Sequence, residues 1–379
     1  MYIGNWPYEH ARIFPDSTAC IDTVSNIRYS WAEFSHECDL IADYLFREKK
    51  INHGDRIAVI SENSPTSLSV FFACMQIGAV YVPINPNWPD KIVENIIIQT
   101  RPRLIFNDEF YKGSGENLIH FLSYSLLSDT LSLNGYKKHI TEVSMSMQDP
   151  AVVVFLPETE PLGITIPQSL IYNNSITTIL AYGLFRNDNV LASLNFSSPA
   201  GLFIRLLPVM MAGGSAVFFR NKDNHIQNPQ INSSQNVYLE PQNLKNYKPE
   251  TFETIRVVFP WGGIKKTNNY LNEFKNLDFD YRQEIMFPCA GMNCFLLPEG
   301  DFSKNVLGLP LYGVQAKIGD SQDGHELNEG EIGELFFRGT SLFSGIWNSP
   351  KATADFFLKG WLRTRMSAYH KNGIYYAVI

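Results

Sequence analysis

An α/β fold of more than one compact unit, closing in a small antiparallel β unit, is predicted by three features of the chain. Residues 1–110 alternate strand-like and helix-like patterns at the spacing of parallel strands joined by helical crossovers. From Val306 onward, short strand patterns alternate with turn residues, as in KIGDSQDGHELNEGEIGELFFRG. The chain has 379 residues, 45% of them hydrophobic. That is enough for a large core divided among roughly two or three units.

The elements follow in order. Trp31 to Lys49 carries Phe34, Leu40, Ile41 and Leu45 at helical spacing and ends in Arg47, Lys49 and Lys50, cations that suit a helix C-terminus. His53-Gly54-Asp55 is a turn signal, and Arg56 to Ser61 reads as a buried strand. Pro65 to Ile77 reads as a helix packed on a sheet, Gly78 to Pro83 as a strand, and a loop holding Pro83, Pro86 and Pro89 follows. Asp90 to Gln99 is a further helix and Arg103 to Asn107 a further strand. Gly113 to Met147 is weakly patterned and reads as a strand and loops. Ala151 to Phe155 (AVVVF) is a buried strand, and the polar run Asn221 to Gln235 an exposed loop.

Composition narrows the function classes. Charged residues make up 18% and the formal net charge is -7. A mildly acidic chain without a block of Lys and Arg argues against nucleic acid or an anionic membrane as partner. The N-terminal MYIGNWPYEHARIFPD lacks the layout of a signal peptide, and no apolar run approaches the about 18 residues of a spanning helix. Cys20, Cys38, Cys74, Cys289 and Cys294 are scattered without metal-ligand spacing, so reduced thiols in a cytoplasmic protein with no metal site are expected.

The stretch Gly330 to Thr364, GEIGELFFRGTSLFSGIWNSPKATADFFLKGWLRT, closely resembles the late core motifs of the adenylate-forming (ANL) superfamily. That superfamily includes acyl- and aryl-CoA synthetases, luciferases and the adenylation domains of peptide synthetases. GDRIAVISENSPTSLSVFFACMQIGAVYVPINPNWP, GLFIRLLPVMMAGG and Trp261-Gly262-Gly263 extend the likeness over nearly the whole chain, in the family's order. The resemblance implies the large N-terminal domain of such an enzyme. Two βαβ-type lobes with packed sheets would occupy residues 1–305, dividing near 150–190, and a small antiparallel β subdomain residues 306–379. The chain stops where the family continues into a mobile C-terminal lid domain, so the lid is expected to be absent.

Against that frame the nucleotide motifs are degenerate. After the strand AVVVF, family members place a Ser/Thr/Gly loop ending in Pro-Lys-Gly, whose amides and lysine hold the ATP phosphates. Here the chain reads Leu156-Pro157-Glu158-Thr159-Glu160-Pro161-Leu162-Gly163, with Leu162 at the lysine position. The two prolines remove N–H donors and stiffen the loop, and the two glutamates set like charge against a polyanion. In Tyr-Gly-x-Thr-Glu, the family's tyrosine stacks on adenine, its threonine meets a phosphate and its glutamate helps hold Mg2+. The corresponding residues are Ala290-Gly291-Met292-Asn293-Cys294, and a thiol is a poor Mg2+ ligand. Cys294 reads as an inert thiol, with a nucleophile as the alternative. Met366 stands where the family's Thr-Gly-Asp places the ribose-binding aspartate, and Gln168 where a histidine closes the phosphate-loop segment.

The resemblance places the acyl pocket among Ser198, Gly201, Trp261, Gly262, Gly263 and Ala290. A cavity opening toward Trp261 and a core filled by Trp261 and neighbouring Phe rings both fit the residues. Three functions follow as expectations. The first is a homologue that does not adenylate, needs no cofactor, and binds an acyl or aryl group or a carrier protein in a biosynthetic pathway. The second is a divergent AMP-forming ligase using ATP and Mg2+ with a separate lid. The third is an ATP-independent enzyme of thioesters, with Ser198 or Cys294 as the candidate catalytic group.

Overall fold

The computed structural model describes residues 2–107, 121–123, 144–156, 160–192, 194–204, 206–219, 236–239, 257–260, 280–281, 284–287, 292–296 and 305–378. Among these residues the strands form three sheets. In the first, parallel strands Val80–Ile84, Arg56–Ile60, Leu104–Asn107 and Phe121–Ser123 lie side by side in that order. Pro150–Leu156 joins Val80–Ile84 in parallel, Leu162–Pro167 returns antiparallel, and Gly345–Ile346 closes that edge. The second sheet runs Asp280–Tyr281, Val257–Pro260, Asn236–Leu239, Asn189–Leu191, Ser215–Phe218 and Thr18–Asp22, all parallel, with Ile27–Ser30 antiparallel at the edge. The third sheet is antiparallel: Glu284–Phe287, Met292–Leu296, Val306–Pro310, Ile374–Ala377, Trp361–Lys371, Gly333–Gly339 and Val314–Gly319, with Phe357–Leu358 paired to Trp361–Lys371.

Helix Pro65–Ile77 illustrates how the chain sets these layers. Ser64 caps it by accepting the Ser67 N–H, Pro65 supplies a preset first turn, and Gly78 ends it at φ 69. A Cβ on Gly78 would also meet the His53 ring at 2.4 Å. The helix is buried on every side because it touches both Val80–Ile84 of the first sheet and Thr18–Asp22 of the second. Each fully buried Leu68, Val70, Phe71, Phe72, Met75 or Ile77 side chain stabilises the fold by about 1.5–3 kcal/mol relative to exposure. Helix Gln168–Tyr182 follows Leu162–Pro167 and packs on Leu206–Met211 and on Met292–Leu296 of the third sheet.

The expected helices and strands of the first hundred residues appear within a few residues of their predicted bounds. The helix over residues 31–49 is α-helical from Trp31 to Asp43, with a Ser30–Glu33 capping box, and continues as a π turn over Tyr44–Glu48. The third sheet takes in Glu284–Phe287 and Met292–Leu296 as well as the strands after Val306. Most of residues 113–147 and all of 221–235 lie outside the described residues. Cys20, Cys38 and Cys74 are free and buried, and burial pushes each thiol well up, which leaves them inert. No helix among the described residues is long and apolar enough to cross a membrane.

Candidate functional site

Open parallel sheets present their ligand sites beyond the carboxyl ends of the strands. Here the carboxyl ends of Arg56–Ile60 in the first sheet and Asn189–Leu191 in the second meet in a seam. The Asn63 side chain donates to the carbonyls of Ala192 (3.2 Å) and Leu194 (2.7 Å) and accepts the Phe196 N–H (3.0 Å). Asn195 answers it, donating to the Ser61 carbonyl (3.1 Å) and accepting the Ser197 N–H (2.9 Å). Ser198 sits on this turn, half-buried, its N–H donating to the Asn195 carbonyl at 2.9 Å and its own carbonyl accepting the Gly201 N–H at 2.9 Å. Gly201 is required sterically: a Cβ there would lie 2.3 Å from the Asn195 oxygen.

The structure thus brings Ser198 and Gly201 together at the seam. Trp261, Gly262, Gly263, Thr159, Ala290 and Gly291 lie outside the described residues, although Val257–Pro260 ends directly before Trp261 in the sheet that leads into the seam. The backbone of Asn293 and Cys294 lies in the strand Met292–Leu296, with Asn293 opposite Met286.

Leu162 corrects one expectation. The segment read as a loop through Gly163 becomes a strand at Leu162, paired with Leu156 across the hairpin. The reason is local: Ile164, Thr165 and Ile166 are β-branched, and the partner strand Pro150–Leu156 in the same hairpin is apolar and buried along its middle. The Leu162 side chain packs against the main core, and a Cβ on Gly163 would meet the Phe155 ring at 2.9 Å. The hairpin end is held from outside as well. The Gln99 amide donates to the Pro161 carbonyl (3.0 Å), the Trp347 N–H to the Gly163 carbonyl (2.8 Å), and the Trp347 indole to the Gln99 carbonyl (3.3 Å). Gln168 is buried at the start of its helix, its N–H on the Asp149 carbonyl.

Met366 lies beside a cleft of about 540 Å³ in the third sheet, lined also by Asp320, Ile332, Glu334, Arg363 and Arg365. Its side chain packs against the core while its N–H donates to the Thr364 hydroxyl at 3.1 Å. The cleft is organised by Glu334, whose side chain is 6% exposed. Glu334 accepts from Arg363 Nη2 at 2.7 Å, from Arg363 Nε at 3.3 Å and from the Arg365 N–H at 3.0 Å. These bonds raise the Arg363 guanidinium above its ordinary value, which keeps it charged. Asp320, Asp323 and His325 bring ligand-type atoms within 4.8 Å of one another. Asp323 and His325 are exposed and bonded to each other at 2.7 Å, so the group reads as a turn closed by its own side chains. A second cleft, of about 500 Å³, lies at the opposite, amino end of the first sheet beside Lys49, Arg56, Arg101 and Arg103. Lys49 and Arg101 there stand at helix C-termini, the usual place for cations.

Sequence reasoning missed Asn63, Asn195, Gln99 and the partly buried Glu334–Arg363 pair as organising residues. Asn63 stands just before the helix read from Pro65, and nothing local in the sequence points across to residue 195. Comparison with known proteins fits this geometry. The family model for AMP-binding enzymes matches residues 8–233. Feruloyl-CoA synthase of Amycolatopsis sp is 20% identical over 375 residues, covering 96% of this chain and 75% of that protein. Indoleacetate–CoA ligase of Aromatoleum aromaticum is 20% identical over 398 residues, with 96% and 75% covered. Among solved structures, the N-terminal domain of FACL13 from Mycobacterium tuberculosis superposes with a TM-score of 0.88 at 18% identity, with 100% of each chain covered, a likeness of fold.

Proposed function

The chain belongs to the AMP-binding enzyme family, and from that premise we propose that it binds rather than adenylates. It would hold an acyl or aryl group, or a carrier protein bearing one, at the seam where the two parallel sheets end. The observation that carries this reading is Leu162. In the register that the resemblance implies, an apolar side chain packed on the core stands where the phosphate-binding lysine should project. Met366, likewise packed on the core, supports it, because a thioether cannot replace a carboxylate as acceptor for two ribose hydroxyls. These residues do not fit a nucleoside triphosphate. With no lysine charge and no ribose acceptor, polyphosphate binding would lose several kcal/mol in order of magnitude.

The relatives favour a second reading. Two proteins similar along most of this chain are a feruloyl-CoA synthase and an indoleacetate–CoA ligase. A divergent ligase would use ATP and Mg2+ to activate a carboxylic acid at the same seam. Incubation with ATP, Mg2+ and a panel of aryl and fatty acids, with pyrophosphate detection, separates the two. The binding reading expects no acid-dependent pyrophosphate, and release with any acid above the blank establishes the ligase.

A further inference from the structure

We infer that Asn63 is the positioning residue of the seam: its one carboxamide sets where the Ser198 turn stands relative to the first sheet. The inference concerns the same site as the binding reading, and its primary test does not depend on any ligand.

Ala192 and the turn over residues 194–198 follow the second-sheet strand Asn189–Leu191 in the chain, and Leu194 lies 131 positions from Asn63. Three of its backbone groups, the Ala192 and Leu194 carbonyls and the Phe196 N–H, are satisfied by Asn63. A carboxamide offers two donors and an acceptor on one rigid plane, and here all three functions are used in one direction. Asn195 returns the contact to Ser61 and braces its own turn at Ser197, so the clasp is reciprocal. Phe196 and Ser197 are buried, and the Phe196 ring meets Phe218 of the second sheet edge-on at 6.2 Å. From the other side, Gly201 presses against the turn at a distance that excludes any side chain. Ser198 is thus fixed from both faces, and on the first-sheet side the fixing bonds are those of Asn63 and Asn195.

Asn63 is free for this task because Ser64 caps the helix that follows. Ser64 and Pro65 fix the backbone direction after strand Arg56–Ile60, which aims the residue before the cap across the seam. An aspartate would keep the bond to the Phe196 N–H and turn the other oxygen against two carbonyls. An alanine would leave all three backbone groups without a partner.

The test is residue-resolved amide hydrogen exchange on the full chain, wild type against Asn63→Asp and Asn63→Ala. With about 1 kcal/mol for each lost bond, the amides of Ser198 and Gly201 should exchange about tenfold faster or more. Val59 and Val217, inside the first and second sheets, should stay within about twofold of wild type. Asn63→Asp carries a further signature. As pH falls its carboxyl takes a proton and regains one O–H donor, so protection of Ser198 recovers toward wild type, whereas Asn63→Ala shows no recovery. Wild-type protection at Ser198 and Gly201 in both variants overturns the inference. Equal loosening at Val59 and Val217 also overturns it, because Asn63 would then be a general staple. Binding of the fluorescent fatty acid cis-parinaric acid to the wild type is scored separately. Its absence counts against the acyl-binding reading and leaves the exchange result to decide the role of Asn63.

Discussion

Replacing Glu334 by Gln measures how far the third sheet depends on one partly buried charge pair. The carboxylate is 6% exposed and the Arg363 side chain 28%. Gln keeps an oxygen for the Arg365 N–H and Arg363 Nε but loses the carboxylate charge and the short bond from Arg363 Nη2. Removing one partner of a fully buried pair costs about 3–5 kcal/mol, and an exposed pair is worth about 0–1 kcal/mol. Arg363 retains the Ser321 carbonyl at 2.8 Å and some solvent, so the cost should fall near 2–3 kcal/mol. With an unfolding entropy of about 2.1 cal/mol/K per residue over the chain, that corresponds to a Tm lowered by about 3 °C. Differential scanning fluorimetry reads this directly, with Arg363→Lys as a companion that keeps the charge and loses the fork geometry. A Tm within about 0.5 °C of wild type would refute the assignment of Glu334 as the organiser of the cleft.

Other outcomes follow from the same contacts. Gly201→Ala forces a Cβ to 2.3 Å from a backbone oxygen and should destabilise the seam by about 3 kcal/mol or more, read as a lower denaturation midpoint. Leu162→Lys should cost about 1 kcal/mol, because half the side chain's packing is lost while the stem still lies on the core, and it should not create ATP binding by calorimetry. Glu37 is raised by burial, eased in part by bonds to Ser69 and Thr66. Its folded form therefore holds a proton that the unfolded form releases. Stability from this group is full below the ordinary carboxyl range and is lost as pH rises through the folded value. Glu37→Gln should accordingly flatten the fall in Tm between acid and neutral pH, and an unchanged profile would contradict the burial argument. Gln99→Ala should speed exchange of the Trp347 amide about fivefold, since it loosens the hairpin end on which that amide is bonded.

Much of the fold was legible because its signals are local. The helix from Pro65 to Ile77 and the strand opening at Arg56 with the apolar run 57–60 are both carried by neighbouring residues alone, and the structure forms both. The family was legible for a different reason, from motif order along the chain. Motif register alone misplaces residues whose state is set by pairing and packing. Leu162 was assigned to a loop by its place in a motif, whereas pairing with Leu156 and packing on the core make it strand. In the GIWNSP segment, Gly345–Ile346 adds an edge strand to the first sheet, with its partner at Ile164–Thr165 far back along the chain. The Asn63–Asn195 clasp is a side-chain match between the ends of two sheets, invisible to any window of sequence. Ser198 and Gly201, named from the resemblance, do share one turn.

Calorimetric titration of the full chain with ATP in the presence of Mg2+, at high protein concentration, tests the central claim most directly. Absence of binding heat up to about millimolar ATP, a free energy weaker than about -4 kcal/mol, is the predicted result. It would direct the search to acyl ligands and carrier partners. Micromolar affinity would contradict the account, because Leu162 and Met366 would then be compatible with a nucleotide in the family's site.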